Sequence, residues 1–189
     1  MTKYTLTKRP KWHYLAVVLA LLICIELVNF FSGRWLNHFA IVPRHLDTLV
    51  YIFTAPWLHG SLSHFFSNIV TLAVLSYLLM QFSVKRYFLV SILLIVMTGL
   101  LVWLFGREAR HLGASGVIYG YFAYLLLAGF LSRRFFLAII SIAVLFFYGG
   151  MIWGVLPSQP FISWESHLFG FISGLVLAWV LRPTAHIRK

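Results

Sequence analysis

Apolar residues in this chain come in six long blocks, at about residues 14–31, 61–82, 87–105, 115–131, 135–153 and 164–181. Each is near the ~20 residues that cross a bilayer as a helix. Short polar interruptions such as Lys85-Arg86, Arg107-Glu108 and Arg133-Arg134 separate them. The pattern predicts an all-α membrane protein, a six-transmembrane-helix bundle forming one membrane domain over residues 1–189. Only short tails, about 1–13 and 182–189, stand outside it, and an even number of spans leaves both on one face. Segment 32–60 is the single long connection. Its mixture of Trp35, Phe39, Tyr51 and Trp57 with Arg34, Arg44 and Asp47 suits the headgroup region, with a short interfacial helix and a rim above the spans.

Composition agrees: 61% hydrophobic residues, 10% charged and a mean hydropathy of +0.91 exclude a soluble domain of this length. The 15 Lys and Arg set orientation. Lys3, Lys8, Arg9, Lys11, Lys85, Arg86, Arg133, Arg134, Arg182, Arg188 and Lys189 fall on the face of the termini. The opposite face holds Arg34, Arg44, Arg107 and Arg110 with Asp47, Glu108 and Glu165. The positive-inside rule then predicts cytoplasmic termini, and the net charge of +11 gives no support to a nucleic-acid role. The first block lacks a small-x-small cleavage site and reads as a retained anchor. A lone Cys24 excludes an intrachain disulfide and a thiolate-built zinc site.

Candidate chemistry lies where spans two, four and six enter from the outer face. Span two opens with His64 and Asn68, span four with Ser115 and Tyr119, and span six with His167. The first two pairs are spaced i, i+4 and so share a helix face. Polar groups at this depth must face protein or water, which predicts a wet pocket opening outward. Neutral imidazole can accept the proton of a serine hydroxyl near pH 7, so Ser115 and His167 are candidate nucleophile and base. His64, Asn68 and the Ser115 amide are candidate oxyanion donors. Gly113, Ala114 and Gly116 leave room for a substrate carbonyl, and Tyr119 is placed to pack on the His167 ring. Gly170, Gly174 and Ala178 form a small-residue stripe on about the face of His167, predicting close approach of spans four and six. Leu177 is expected to face lipid. With only Glu165 near this level, a dyad is favoured over a triad, and no metal or cofactor is expected. Glu26 reads as a structural hydrogen-bond partner. Taken singly, Gly-x-Ser-Gly, the glycine stripe or Tyr119 would pass for packing; their coincidence at one depth points to catalysis.

These residues resemble the rhomboid intramembrane serine proteases of the minimal six-helix bacterial type. The matching segments are Gly113-Ala114-Ser115-Gly116 with Tyr119, Ser166-His167 with Gly170 and Gly174, and the second-span run from His59 through His64 to Asn68. They extend the resemblance over about residues 12–182. It implies a Ser115–His167 dyad, oxyanion binding by His64, Asn68 and the Ser115 amide, and a supporting place for His59 at the cavity mouth. It also implies location in the bacterial inner membrane and transmembrane protein substrates, with membrane lipids around them. Substrates would enter between spans two and five past a mobile cap near Gly154, Pro157 and Pro160. The Trp-Arg pair common in the family's first loop is replaced here by about Val50-Tyr51, and no seventh helix is expected. Three alternatives stay open: an inactive rhomboid-like binder of membrane proteins, a metal-dependent membrane enzyme or transporter using His59, His64 and His167, and a channel or polytopic scaffold, which leaves the polar ring unexplained.

Overall fold

The computed structural model describes residues 9–157 and 162–182. Lys3, Lys8, Pro160, His186, Arg188 and Lys189 lie outside the described residues. Among the described residues six α-helices make up the bundle: α1 (Lys11–Phe31), α2 (Leu62–Leu79), α3 (Val84–Phe105), α4 (Ser115–Leu131), α5 (Phe135–Tyr148) and α6 (Trp164–Val180). No extended strand occurs among the described residues; two-stranded contact is limited to the bridge between Ile41 and His111. Four segments among the described residues are long and apolar enough to cross a membrane: α1, α2, α3 and the run Phe135–Val155. The 17-residue helices α4 and α6 are shorter, about 26 Å each at 1.5 Å per residue.

Caps and glycines set the boundaries. The Ser61 hydroxyl accepts the His64 amide and starts α2, and that of Ser83 accepts the Arg86 amide and starts α3 three residues before the expected position. Helix α2 stops at Leu79, with Met80-Gln81-Phe82 forming the turn rather than a last helical turn. The fifth block is α-helical only to Tyr148. It continues as a 3₁₀ helix over Gly149–Val155 from the pair Gly149-Gly150, where glycine weakens the α-helix.

Helix α4 is apolar all round and buried nearly all round, with Tyr121, Phe122, Ala123, Tyr124 and Leu125 sealed among its neighbours. Its most intimate partner is α6. A methyl group on Gly170 would strike the Gly116 carbonyl oxygen, and one on Gly174 would strike that of Gly120. Only glycine permits this approach. The same contact corrects one expectation: Leu177 is 4% exposed and belongs to the core, because it lies on the packed side of α6; Val176 at 44% faces outward instead.

Segment 32–60 contains three 3₁₀ helices, Trp35–Phe39, Leu46–Phe53 and Ala55–Trp57, and is fastened to the rest of the molecule. Ile52 packs where Gly99 of α3 leaves no side chain. The Arg44 guanidinium donates to the Gly106 carbonyl at 2.7 Å, and the Trp103 indole donates to the His45 carbonyl at 2.9 Å. Ile41 and His111 exchange both backbone hydrogen bonds, at 3.1 and 2.8 Å. The long connection is therefore a structured lid on α3 and on the loop before α4.

Candidate active site

Between the N-terminal ends of α2, α4 and α6 lies a cavity of about 970 Å³. His64, Asn68, Ser115, Tyr119 and His167 all line it, together with Ser63, Ser67 and Thr71 of α2, Arg107 and Arg110 of the loop before α4, and Tyr148 and Met151. Five polar groups that the sequence distributes over three helices thus meet one space. His59 does not line it: the ring is fully buried behind the loop that leads into α4.

Ser115 is the first residue of α4, and Ala114 before it offers no capping side chain. The opening amides of this helix therefore have no intrahelical acceptor, and their partial positive charge faces the helix entrance. Gly113, at φ +118°, makes the bend that brings the chain into α4. A side chain there would meet the His64 ring at 2.8 Å and lie 3.6 Å from Asn68 Nδ2. The imidazole and the amide of α2 thus converge on the backbone just ahead of Ser115. Asn68 Nδ2 is buried without a hydrogen-bond partner among the described residues.

His167 is fixed from two sides. Its ring stacks on that of Tyr119, with centroids 4.1 Å apart and planes within 6°. Its Nδ1 lies 2.9 Å from the Gly154 carbonyl oxygen. A carbonyl only accepts, so Nδ1 carries the hydrogen and donates it, which leaves the Nε2 lone pair free in the neutral ring. Because Tyr119 follows Ser115 by four residues on α4, the stack also holds the imidazole about one turn from the hydroxyl. Ser115 forms no hydrogen bond through its side chain among the described residues, as is common for a nucleophile without substrate.

His111 carries no pattern that singles it out in the sequence, yet it joins the loop before α4 to the start of α6. Nε2 faces the Arg107 carbonyl at 2.9 Å and so donates to it; Nδ1 therefore accepts from the Ser163 hydroxyl at 2.6 Å. The Ser166 hydroxyl in turn donates to Ser163, 2.6 Å away. Burial pushes the His111 imidazole below its usual range, which keeps it neutral and able to accept. Glu165, buried beside His167 in sequence, faces Arg107 Nε at 3.4 Å rather than the imidazole. Among the described residues, no three of His, Cys, Asp and Glu converge to hold a metal ion.

An all-helical bundle with apolar helices long enough to cross a membrane, and a polar cavity at one end that holds a serine at a helix N-terminus and a histidine, defines an integral membrane protein. The family model of the Rhomboid domain matches residues 47–184, and the chain belongs to the rhomboid family. An uncharacterized protein of Mycobacterium tuberculosis and one of Mycobacterium bovis are each 34% identical to it over 188 residues, covering 93% of this chain and 78% of the relative. An uncharacterized protein of Mycobacterium leprae is 35% identical over 172 residues, covering 86% of this chain and 68% of the relative. Rhomboids are in general serine proteases, and they act on membrane proteins.

Proposed function

We propose that this protein is an intramembrane serine endopeptidase that hydrolyses peptide bonds in or near transmembrane segments of membrane proteins. The observation that carries this reading is the His167 ring: Nδ1 donates to the Gly154 carbonyl, and the free Nε2 belongs to a ring stacked one turn from Ser115 in a shared polar cavity. Nε2 takes the Ser115 proton as Oγ attacks the scissile carbonyl, and the resulting imidazolium returns it to the leaving amine. The oxyanion is met by Asn68 Nδ2, the His64 ring and the Ser115 amide. Water then attacks the acyl-enzyme with His167 again as base, and Ser115 is released. Gly113, Tyr119, Gly170 and Gly174 shape the site, and His59 supports it from behind.

The test is cleavage of a single-span reporter in detergent or liposomes, together with labelling by a fluorophosphonate. Ser115→Ala and His167→Ala should each abolish cleavage, and the double variant should lose little more, because the two act as a unit. Full activity in Ser115→Ala overturns the dyad. Activity lost to EDTA and restored by zinc would favour the metal-dependent alternative.

We also propose cytoplasmic termini and an inner-membrane location. Support comes from Lys11, Lys85, Arg86, Arg133, Arg134 and Arg182, which lie at the helix ends opposite the cavity. In a Cys24→Ser background, Lys85→Cys should react with an impermeant maleimide only after the membrane is opened, and reaction in intact cells overturns the assignment.

A further inference from the structure

Glu26 sits on α1, the helix that contributes nothing to the cavity lining, yet it is only 2% exposed. A carboxylate buried near the end of a membrane helix needs a partner. Its partner is Arg34, whose guanidinium donates to Oε1 at 2.5 Å. The chain must double back for these two to meet. Gly33 at φ +63° and Arg34 at φ +68° make that reversal. The Arg34 amide donates to the Asn29 carbonyl and the Gly33 amide to that of Phe30, a Schellman arrangement that closes α1 and aims residue 34 back along the helix.

Arg34 has a second acceptor, the His59 carbonyl oxygen, at 3.2 Å. Asn29 Nδ2 and Asn37 Nδ2 donate to the same oxygen, also at 3.2 Å each. Three donors on one carbonyl leave the His59 backbone little freedom. On the other side of that residue, its ring Nε2 accepts the Ala114 amide at 3.5 Å, while the Gly113 amide donates to the Ala55 carbonyl at 2.9 Å. The two residues that precede Ser115 are thus suspended from segment 55–59, and that segment is pinned by α1. The imidazole must be neutral at Nε2 to accept, and its surroundings favour this: burial first, then the charges of His64 and Arg34, push it down to about 3.

We propose that Glu26 is a positioning residue, which through Arg34 and His59 fixes the Gly113-Ala114 backbone and thereby the oxyanion-binding amide and hydroxyl of Ser115. The role rests on the protease reading above. It gives this chain a polar anchor for its long first connection. A purely structural pair would lower stability wherever it sits; a positioning pair lowers turnover with substrate affinity preserved.

The experiment compares Glu26→Gln, Arg34→Met, the double variant and Asn37→Ala with the wild type and with Ser141→Ala, which removes a buried hydrogen bond to Leu125 far from the cavity. Readouts are kcat and KM on the reporter, the rate of fluorophosphonate labelling at Ser115, and Tm. Glu26→Gln and Arg34→Met should each lower kcat and labelling by at least about 10-fold with KM within about twofold, and the double variant should lose little more. Asn37→Ala, which removes one of three donors and spares the ion pair, should show a smaller loss of the same kind and keeps the test open should the Glu26 variants fail to fold. Ser141→Ala should lower Tm and leave kcat unchanged. Folded Glu26→Gln and Asn37→Ala proteins with wild-type kcat overturn the positioning role alone. So does a loss of kcat in Ser141→Ala that follows Tm in the same proportion. A wild-type protein that neither cleaves nor is labelled overturns the protease reading itself.

Discussion

A buried amide nitrogen with no partner costs the fold about 1–3 kcal/mol. Asn68 Nδ2 is such a group, and it points toward the backbone ahead of Ser115. If its missing partner is the transition-state oxyanion, stability and turnover respond oppositely to its removal. Asn68→Ala should lower kcat by about 10–10³-fold while Tm stays level or rises, and His64→Ala should lower kcat in the same range. Unchanged turnover in both single variants and in the double variant would show that α2 only packs at this place. Five of the polar groups lining the cavity were legible in the sequence because His64, Asn68, Ser115, Tyr119 and His167 interrupt apolar blocks near one end; Ser63, Ser67 and Thr71 on α2 were not. His111 and the Gly154 carbonyl were not. A histidine in a polar loop is ordinary, and a main-chain oxygen has no letter of its own.

At the scale of elements, the pairing of α4 with α6 turns two missing side chains into a close backbone contact between the helices that carry Ser115 and His167. Gly170→Leu or Gly174→Leu must displace a backbone carbonyl of α4, an overpacking that typically costs about 1–3 kcal/mol. His167 rides on the same helix, and a shift of about 1 Å is enough to reduce the rate about 10²-fold. Activity should fall before Tm does. The outward-facing control is Val176→Ala, since Leu177 is buried; glycine variants that cleave as fast as this control would exclude the coupling. The stripe was readable from its four-residue spacing, whereas the side of α6 occupied by Leu177 was not, because apolar residues facing lipid and core look alike. The 3₁₀ ending of the fifth block was hidden for the same reason: apolarity continues through it while the helix type changes.

For the whole molecule, two neutral imidazoles inside the fold link stability to acidity. His59 is held down to about 3 and His111 is also lowered, while both are ordinary, near 6.5, in the unfolded chain. Below pH 6.5 the unfolded chain therefore binds more protons, and stability falls as pH drops through the window that ends near 3 for His59. Each group contributes a slope of at most about 1.4 kcal/mol per pH unit. Glu26, His64 and Arg34 face His59, and after burial the charges of His64 and Arg34 lower it. Tm should decline between about pH 7 and pH 5, and His59→Gln should flatten the decline. A slope identical to wild type would rule out His59 as its source. The bundle was legible from its six apolar blocks. The fastening of segment 32–60 to α3 was not, since its hydrogen bonds run largely to main-chain carbonyls.

The acceptor that orients His167 is the peptide oxygen of Gly154. In a serine hydrolase with a carboxylate third member, one codon change erases that member. Here no codon encodes it, and drift in the gene cannot delete it outright. It is vulnerable instead through the shape of residue 154, because any side chain added there would run into the Tyr119 hydroxyl and come within 3.6 Å of the imidazole it serves. The permanence of the acceptor is therefore bought with an intolerance at a position whose own side chain does nothing.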